Sequence, residues 1–496
     1  MCGIVGFWGP RPVADRRACL ERMSSRLVHR GPDAGGEWLE GDQEPALGHR
    51  RLAVVDLSEG GSQPMRSHSG RFVITYNGEV YNFEALRREL RDSGVSNYRG
   101  HSDTEVILAA VEAWGIERAL DRFVGMFALA LWDRQEQKLH LATDRLGKKP
   151  LYFGWMKGSF LFASELKALV EHPDFDDSLD LGALETFFRF GFIPAPASIY
   201  RKLEKLGGGR LLTLSAPAES AATETEYWSV EKVWQAGQAH PYPGSDAEAL
   251  AEAERLLLDA VRIRMVADVP LGSLLSGGVD SSLVTALMQA QSSRPVQTFS
   301  IGSDDERYDE SADARRVAAH LGTQHTELTV SAAEALQVIP SLPSQYDEPF
   351  ADASQIPTFL VSRMARRHVT VALTGDGGDE IWGGYDRYVW GRRLYRVFSR
   401  APALFRQLCA GMLGSAPPGV YDRCFSKVSG FLPERYRVRL PGDKIHKLSR
   451  LARAETPEEF YLALASLAWS HPERLLRAGA PSQRGRNALA WPRSIA

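Results

Sequence analysis

The first residue able to do chemistry stands almost at the start of the chain, which opens Met1-Cys2-Gly3-Ile4-Val5-Gly6. A side chain as small as that of Cys2 permits removal of Met1, which would leave Cys2 with a free α-amine. Such an amine has an ordinary pKa of about 7.7–8.0, so near neutrality it can act as base for its own thiol, directly or through a water. The thiolate would attack an amide carbonyl and form a thioester. Taken alone, Cys2 also reads as a buried strand residue ahead of Ile4 and Val5. A second string, Leu274-Leu275-Ser276-Gly277-Gly278-Val279-Asp280-Ser281-Ser282, lies between an apolar strand and a helix. Glycines let backbone approach a phosphate closely, and a helix start offers free N–H groups and a positive dipole end. No Gly-Lys-Ser/Thr follows, so this is not the lysine-bearing phosphate loop of the Walker type. Two acidic strings complete the set: Asp347-Glu348-Pro349-Phe350-Ala351-Asp352 and Thr374-Gly375-Asp376-Gly377-Gly378-Asp379-Glu380. The second could be a solvated turn. Carboxylates at the C-terminal edge of a parallel sheet, facing a phosphate loop, suit metal and phosphoryl chemistry better.

The elements that must position these groups change character along the chain. Alternating or continuous apolar stretches predict strands over 46–57, 71–76, 123–133, 138–144 and 151–153, with helices over 83–93 and 104–114. That order suits an α+β domain with packed antiparallel sheets. The Ala-, Ser-, Thr- and Glu-rich stretch 215–225 and the Pro- and Gly-bearing stretch 235–245 read as a linker or peripheral excursion. From 246 onward strand alternates with helix: a helix over 247–265, then strands over 271–275, 296–301, 325–330 and 369–374 separated by helices over 281–291, 309–321 and 357–367. This predicts a parallel, doubly wound sheet. The chain after Tyr385 reads as helical and basic, without a motif. With 496 residues, two or more domains are expected. A net charge of −3 gives no reason to expect nucleic acid or an anionic membrane as partner. Cys2, Cys19, Cys409 and Cys424 supply neither a disulfide framework nor a metal spacing, so a reducing, cytoplasmic location is expected.

Several polar segments in the first 205 residues gather around Cys2 in function: Arg30-Gly31-Pro32-Asp33, His49-Arg50-Arg51-Leu52-Ala53-Val54-Val55-Asp56, Asn77-Gly78-Glu79-Val80-Tyr81-Asn82 and Ser102-Asp103-Thr104-Glu105. Each by itself could be a turn or a helix cap. Together they offer what glutamine requires: a guanidinium for its α-carboxylate, a carboxylate for its ammonium, and preorganised donors for an oxyanion. In this order, and with Asp144-Arg145-Leu146-Gly147-Lys148-Lys149-Pro150-Leu151-Tyr152, they resemble the class II glutamine amidotransferase domain of the asparagine synthetase family. The resemblance implies an α+β N-terminal Ntn-hydrolase-like sandwich with Cys2 as nucleophile. It implies that Arg51 and the Leu52, Ala53, Val54 and Val55 backbone hold glutamine. Asn77 and Gly78 would form the oxyanion hole, and Glu79 and Asp103 would contact glutamine, Asp103 taking the ammonium. The Ser-Gly-Gly-Val-Asp-Ser-Ser string resembles the pyrophosphate loop of ATP pyrophosphatases, which implies an α/β doubly wound parallel-sheet domain of the adenine nucleotide alpha hydrolase-like kind. There Leu274, Ser276, Gly277, Gly278, Asp280, Ser281, Ile301, Thr374 and Gly375 would surround ATP. Asp280 and Asp379 would stand at Mg²⁺, and Asp376 would promote formation of β-aspartyl-AMP. The same string argues against glucosamine-6-phosphate synthase and amidophosphoribosyltransferase, which share such a cysteine domain.

The resemblance divides the chain into a glutaminase domain over 1–205, a linker over 206–245, an ATP-binding core over 246–390 and a helical, weakly matched part over 391–496. It implies asparagine synthesis from aspartate, glutamine and ATP. Two departures shape the alternatives. Asp376 stands where the well-studied enzymes have Glu, which brings in another acceptor carboxylate: a sugar uronate, a peptide or a secondary-metabolite precursor. The family's Asp-x-x-Ser-Met-Ala and Arg-x-Pro-Phe-Leu-Asp segments and a later lysine-bearing loop are not found, which brings in a glutaminase with an impaired, ATP-binding second half. The expected partners are small molecules, with no nucleic acid and no membrane; a homodimer is left open.

Overall fold

A computed structural model describes residues 1–9, 16–41, 43–304, 309–429 and 441–466, without the side chains of 428 and 429. The chain divides into two compact units: Met1–Asp180 with Pro194–Gly375, and Leu181–Ile193 with Asp376–Ala496.

The first unit contains three sheets built from β1 (Gly3–Trp8), β2 (Ala34–Trp38), β3 (Ala46–Arg51), β4 (Met65–Arg66), β5 (Phe72–Val80), β6 (Gly125–Asp133), β7 (Lys138–Thr143), β8 (Tyr152–Met156), β9 (Ser159–Ala163), β10 (Leu203–Lys205), β11 (Arg210–Leu214), β12 (Ala222–Glu226), β13 (Leu271–Leu274), β14 (Gln297–Ser303), β15 (Gln324–Val330) and β16 (Val371–Leu373). Two six-stranded antiparallel sheets run β10-β8-β9-β1-β3-β2 and β12-β11-β7-β6-β5-β4. Side chains alternate across a strand, and β6 uses both faces. Ala128, Ala130 and Trp132 join Ile4, Leu47, Phe160 and Phe162 in one apolar cluster, where the two sheets meet. Phe127, Leu129 and Leu131 point the other way into a second cluster with the helices Phe83–Asp92, Asp103–Trp114 and Ile116–Arg122. Burial on both faces explains why β6 reads as a nearly unbroken apolar run.

Three sequence expectations change. β3 ends at Arg51 rather than continuing to 57, and Asp56 takes a left-handed backbone at φ 56°. β5 runs on through Val80, so Asn77, Gly78 and Glu79 are interior strand residues opposite Ala128, Phe127 and Met126. β11 and β12 fall in the stretch read as linker, yet extend the second sheet beside β7. The exposed Thr-Glu-Thr-Glu pattern of β12 is that of a charged edge strand, which a composition-based reading takes for a loop. The helix Val230–Ala239 follows.

The third sheet is parallel, in the order β15-β14-β13-β16. The helices Asp246–Arg264, Val279–Ala290 and Ser311–Leu321 pack on the face of Leu271 and Leu275, and Gln355–Ala365 on the face of Leu274 and Phe299. Crossover helices on both faces are what the alternating pattern predicts. Asp246–Arg264 begins at a capping box in which Ser245 and Glu248 satisfy each other's backbone N–H groups.

In the second unit the helices Asp386–Arg400, Pro441–Arg453 and Pro457–Ala465 meet around Leu451, Ala454 and Phe460, with Leu394, Tyr395 and Phe398 packed against them. Of the helical part expected over 391–496, residues 430–440 and 467–496 lie outside the described residues. Among the described residues no helix is long and apolar enough to cross a membrane.

Candidate active site

Cys2 precedes β1, and its half-buried thiol lies against the first residue after β3. The Leu52 N–H donates to the Cys2 sulfur at 3.4 Å, and the sulfur stands 3.6 Å from the Leu52 carbonyl. Burial pushes the thiol pKa up, while the Leu52 N–H, the neighbouring terminal amine and Arg51 oppose the rise. The Met1 amine donates to the Arg30 carbonyl at 3.2 Å, and burial holds it down to about 5. Arg30 also binds the Cys2 carbonyl at 2.9 Å while paired with Glu165 at 2.7 Å. The turn that carries Arg30 is tight. A Cβ on Gly31 would run into the Arg50 carbonyl, and Asp33 accepts the Ala53 N–H at 2.9 Å.

The guanidinium of Arg51 is buried and binds the carbonyls of Asp56 and Ser58, the latter at 2.8 Å. Its first job is therefore to fold the turn 52–58, whose backbone passes Cys2. Asn77 is 1% exposed, and neither its Oδ1 nor its Nδ2 has a hydrogen-bond partner. A buried unpaired amide is costly, so its position calls for a ligand. A Cβ on Gly78 would strike the Met126 carbonyl across the β5–β6 pair, so only glycine fits beside Asn77. His49, 1% exposed, bonds the Tyr76 carbonyl at 3.1 Å, and burial lowers it to about 4, so at neutral pH it is an uncharged ring.

Asp103 is the first residue of the helix Asp103–Trp114, with Ser102 as its cap. Its carboxylate accepts the Tyr76 hydroxyl at 2.8 Å and the Val80 N–H at 3.0 Å, which ties the helix start to β5. Burial raises its pKa, and its charge acts on both Cys2 and Glu79. Glu79 keeps a buried Oε1 without a partner. Burial first, and Asp103 second, push it up to about 8. The folded protein therefore holds one more proton than the unfolded chain between pH 4.5 and 8, and stability falls as pH rises through that window. Glu79→Gln removes that loss. Its stability over the native chain in urea unfolding should grow from near zero at acid pH to about 2–4 kcal/mol at pH 8. A difference that stays flat with pH would show that Glu79 is charged in the folded state throughout.

In the parallel sheet, β13 leads into a loop that closes on Ser281. The Ser276 N–H donates to Ser281 Oγ at 3.2 Å, the two hydroxyls lie 2.9 Å apart, and Ser281 Oγ donates to the Gly278 carbonyl at 3.2 Å. Gly277 has φ 81° and sits so close to Asp313 and Ala314 that a side chain has no room. Gly278 caps the helix Val279–Ala290 without a side chain, which leaves the first helical N–H groups to a ligand. Because β16 neighbours β13, Thr374 and Gly375 emerge beside this loop, with a Cβ on Gly375 placed 2.7 Å from the Ser281 nitrogen. Leu274 and Ile301 are half-buried against Met364 and Val330 respectively, so their side chains are mainly core. Asp376 opens the second unit and is exposed. Asp379 lies in the short helix Gly378–Trp382 with its carboxylate folded over Gly384.

The Asp347-Glu348 pair makes structural contacts. Asp347 pairs with Lys167 at 3.2 Å and accepts the Leu166 N–H. Glu348 pairs with Lys205, accepts the Ile199 N–H at 2.8 Å and takes the Tyr152 hydroxyl at 3.3 Å. Both carboxylates thus anchor the parallel-sheet module to the antiparallel one. Lys149 also escaped sequence reading. It is 5% exposed, with Nζ 2.6 Å from the Met1 sulfur, and burial lowers it to about 8. Its signal, a lysine before Pro150 in a polar turn, is indistinguishable from that of a solvated charge.

Cys2 beside an antiparallel double sheet, with a serine- and glycine-rich loop on a parallel sheet, suits an amidotransferase module coupled to a nucleotide-using module. Comparison with known proteins narrows it. The family model described as glutamine amidotransferase domain matches residues 1–228, and that of asparagine synthase matches 252–491. The first thus covers β11 and β12, and the second continues past 390, where the sequence reading found only a weak match. The chain is 32% identical over 424 residues to asparagine synthetase [glutamine-hydrolyzing] 1 of Bacillus subtilis, covering 85% of this chain and 64% of that one. It is 35% identical over 416 residues to the putative asparagine synthetase [glutamine-hydrolyzing] 2 of Methanocaldococcus jannaschii, covering 79% and 77%. It is 30% identical over 421 residues to amidase chry2 of Gibberella zeae, covering 78% and 60%. The chain belongs to the glutamine-hydrolyzing asparagine synthetase family.

Proposed function

We propose that this protein takes ammonia from glutamine at Cys2 and uses it to amidate a carboxylate activated by ATP, with aspartate as acceptor and asparagine, glutamate, AMP and pyrophosphate as products. The observation that carries the reading is the buried Asn77 amide, unpartnered on both polar atoms, in the strand that neighbours the Cys2 site. Once Met1 is removed, the Cys2 amine takes the thiol proton and the sulfur attacks the glutamine amide carbonyl. The tetrahedral oxyanion is received by Asn77 Nδ2 and the Gly78 backbone, and the amine returns the proton to the departing ammonia. Asp103 takes the glutamine ammonium, and Arg51 with the Leu52–Val55 backbone takes the carboxylate end. Water then releases glutamate from the thioester.

In the second reaction the loop Ser276–Ser281 and Thr374-Gly375 receive the phosphates, and Asp376 promotes attack of the acceptor carboxylate on the α-phosphate. Among the described residues there is no group of three or more His, Cys, Asp or Glu that could hold a metal by itself. The family resemblance assigns Mg²⁺ to Asp280 and Asp379, carboxylates of the kind that hold this ion together with substrate phosphates. Held there, Mg²⁺ would supply charge neutralisation on the departing pyrophosphate. Ammonia reaches the acyl-adenylate by a dry path between modules, which keeps it unprotonated.

A second reading changes only the acceptor. It is supported by Asp376 in place of the usual Glu, and by similarity to a relative named as an amidase rather than an asparagine synthetase. Mass spectrometry of the products from glutamine, ATP, Mg²⁺ and aspartate tests both. Asparagine with one pyrophosphate per amide is expected. Glutamate without asparagine, and pyrophosphate only when another carboxylate is supplied, would transfer the assignment to the second reading. Glutamate without pyrophosphate from any acceptor would leave a glutaminase.

A further inference from the structure

Between the helix Asp246–Arg264 and β13, a short segment of the parallel-sheet module reaches the turn beside Cys2. Asp268 in this segment donates its N–H to the Val54 carbonyl at 2.9 Å. Its carboxylate Oδ2 accepts the Asp56 N–H at 2.8 Å and lies 2.8 Å from His101 Nε2. The His101 N–H donates back to Asp56 Oδ2 at 2.9 Å, which closes a ring of bonds around Asp56. Asp56 is 1% exposed and holds φ at 56°, a left-handed conformation uncommon outside glycine and one that aspartate takes more readily than most residues. From there its carboxylate binds the Ser58 N–H at 3.1 Å, and its carbonyl accepts from Arg51. Asp268 therefore grips the backbone on both sides of Val55, three residues from the Leu52 N–H that touches the Cys2 sulfur.

We propose that Asp268 is a positioning residue for glutamine, supplied to the glutaminase site by the nucleotide module. It holds Asp56 in its left-handed turn and so aims the Leu52–Val55 backbone and Arg51 at the amino-acid end of the substrate. It stands three residues ahead of β13, the strand that ends at the Ser276 loop, so the backbone that binds glutamine and the backbone that leads to the phosphate loop meet at this side chain. The inference rests on the assignment of Leu52–Val55 to glutamine given above, and extends it to a residue outside that module.

The test uses the full chain and two assays: glutamate release from glutamine, and pyrophosphate release driven by ammonium chloride. Asp268→Ala should raise the KM for glutamine about tenfold or more with kcat within about threefold, because positioning of the substrate rather than the nucleophile is disturbed. Ammonia-driven pyrophosphate release should stay within about twofold of native. Asp268→Asn, which keeps an acceptor for the Asp56 N–H, should restore most of the glutamine KM. An unchanged KM in Asp268→Ala, an equal loss in both assays, or an Asn variant no better than Ala would overturn the proposal. If Asp268→Ala does not fold, His101→Phe serves in its place. It removes one bond from the ring and should raise the KM about threefold, with an unchanged KM counting against the idea. Should the native chain release no glutamate from glutamine, the glutaminase reading falls and this inference with it. Glutamate release by the native chain that is indifferent to Asp268 defeats this inference alone.

Discussion

Cys2→Ala is expected to reduce glutamine-dependent amidation by at least about 10³-fold while ammonia-dependent amidation stays within about twofold. The asymmetry follows from where the thiol sits. It touches Leu52, the first residue after β3, whereas the Ser276–Ser281 loop proposed for phosphate follows β13. In the proposed mechanism, removing the nucleophile would leave no partial route, since water attacking an unactivated amide would have only the oxyanion donors to rely on. The exchange of a thiol for a methyl at a half-buried position disturbs packing little, so the fold and the second site should persist. The measurement is asparagine formed with glutamine against asparagine formed with ammonium chloride. A parallel fall in both would mean that Cys2 holds the structure and does not act as nucleophile.

Asn77→Ala carries the next largest expected effect: a fall of about 10²–10³ in kcat for glutamine hydrolysis, with KM changed by less than about threefold. In the proposed mechanism its amide donates to charge that exists only in the transition state, so its loss would appear in kcat. A second readout separates this from a packing role. Both polar atoms of Asn77 lack partners in a site that is 1% exposed, so replacing it with alanine removes an unsatisfied group and should leave the thermal midpoint unchanged or higher. A variant that loses stability along with activity would identify Asn77 as structural.

Periodicity made most of the architecture legible. The helix expected over 83–93 is Phe83–Asp92, and the strand expected over 138–144 is Lys138–Thr143. The alternation of strand and helix after 246 corresponds to the parallel sheet of β13 to β16. Local reading failed where tertiary pairing decides. β12 carries a Thr-Glu-Thr-Glu pattern and is a strand because β11 pairs with it. Asn77-Gly78-Glu79 has the composition of a turn, and β6 supplies the partner that makes it a strand. Within the site, Cys2, Asn77 and Asp103 were visible as ordered motifs. Asp268 was not, because its role depends on a carbonyl and an N–H more than two hundred residues earlier, which no local pattern encodes. Asp347 and Glu348 were visible as acids, but their ion pairs with Lys167 and Lys205 were not, since an anchoring carboxylate has no local signal of its own until its partners are seen.

The anchoring carboxylates bear on how such a chain can be re-engineered. Lys205 is covered by Glu348, and Lys167 stands between Glu165 and Asp347. A sandwich transplanted onto a foreign synthetase would therefore arrive with lysines and an Ile199 N–H lacking their counter-groups, and would dock poorly unless the recipient carried acids at both places. Recombination between relatives is constrained at this seam by two side chains whose partners lie in the other module. Chimeras should be designed with Asp347 and Glu348 counted as part of the donor sandwich.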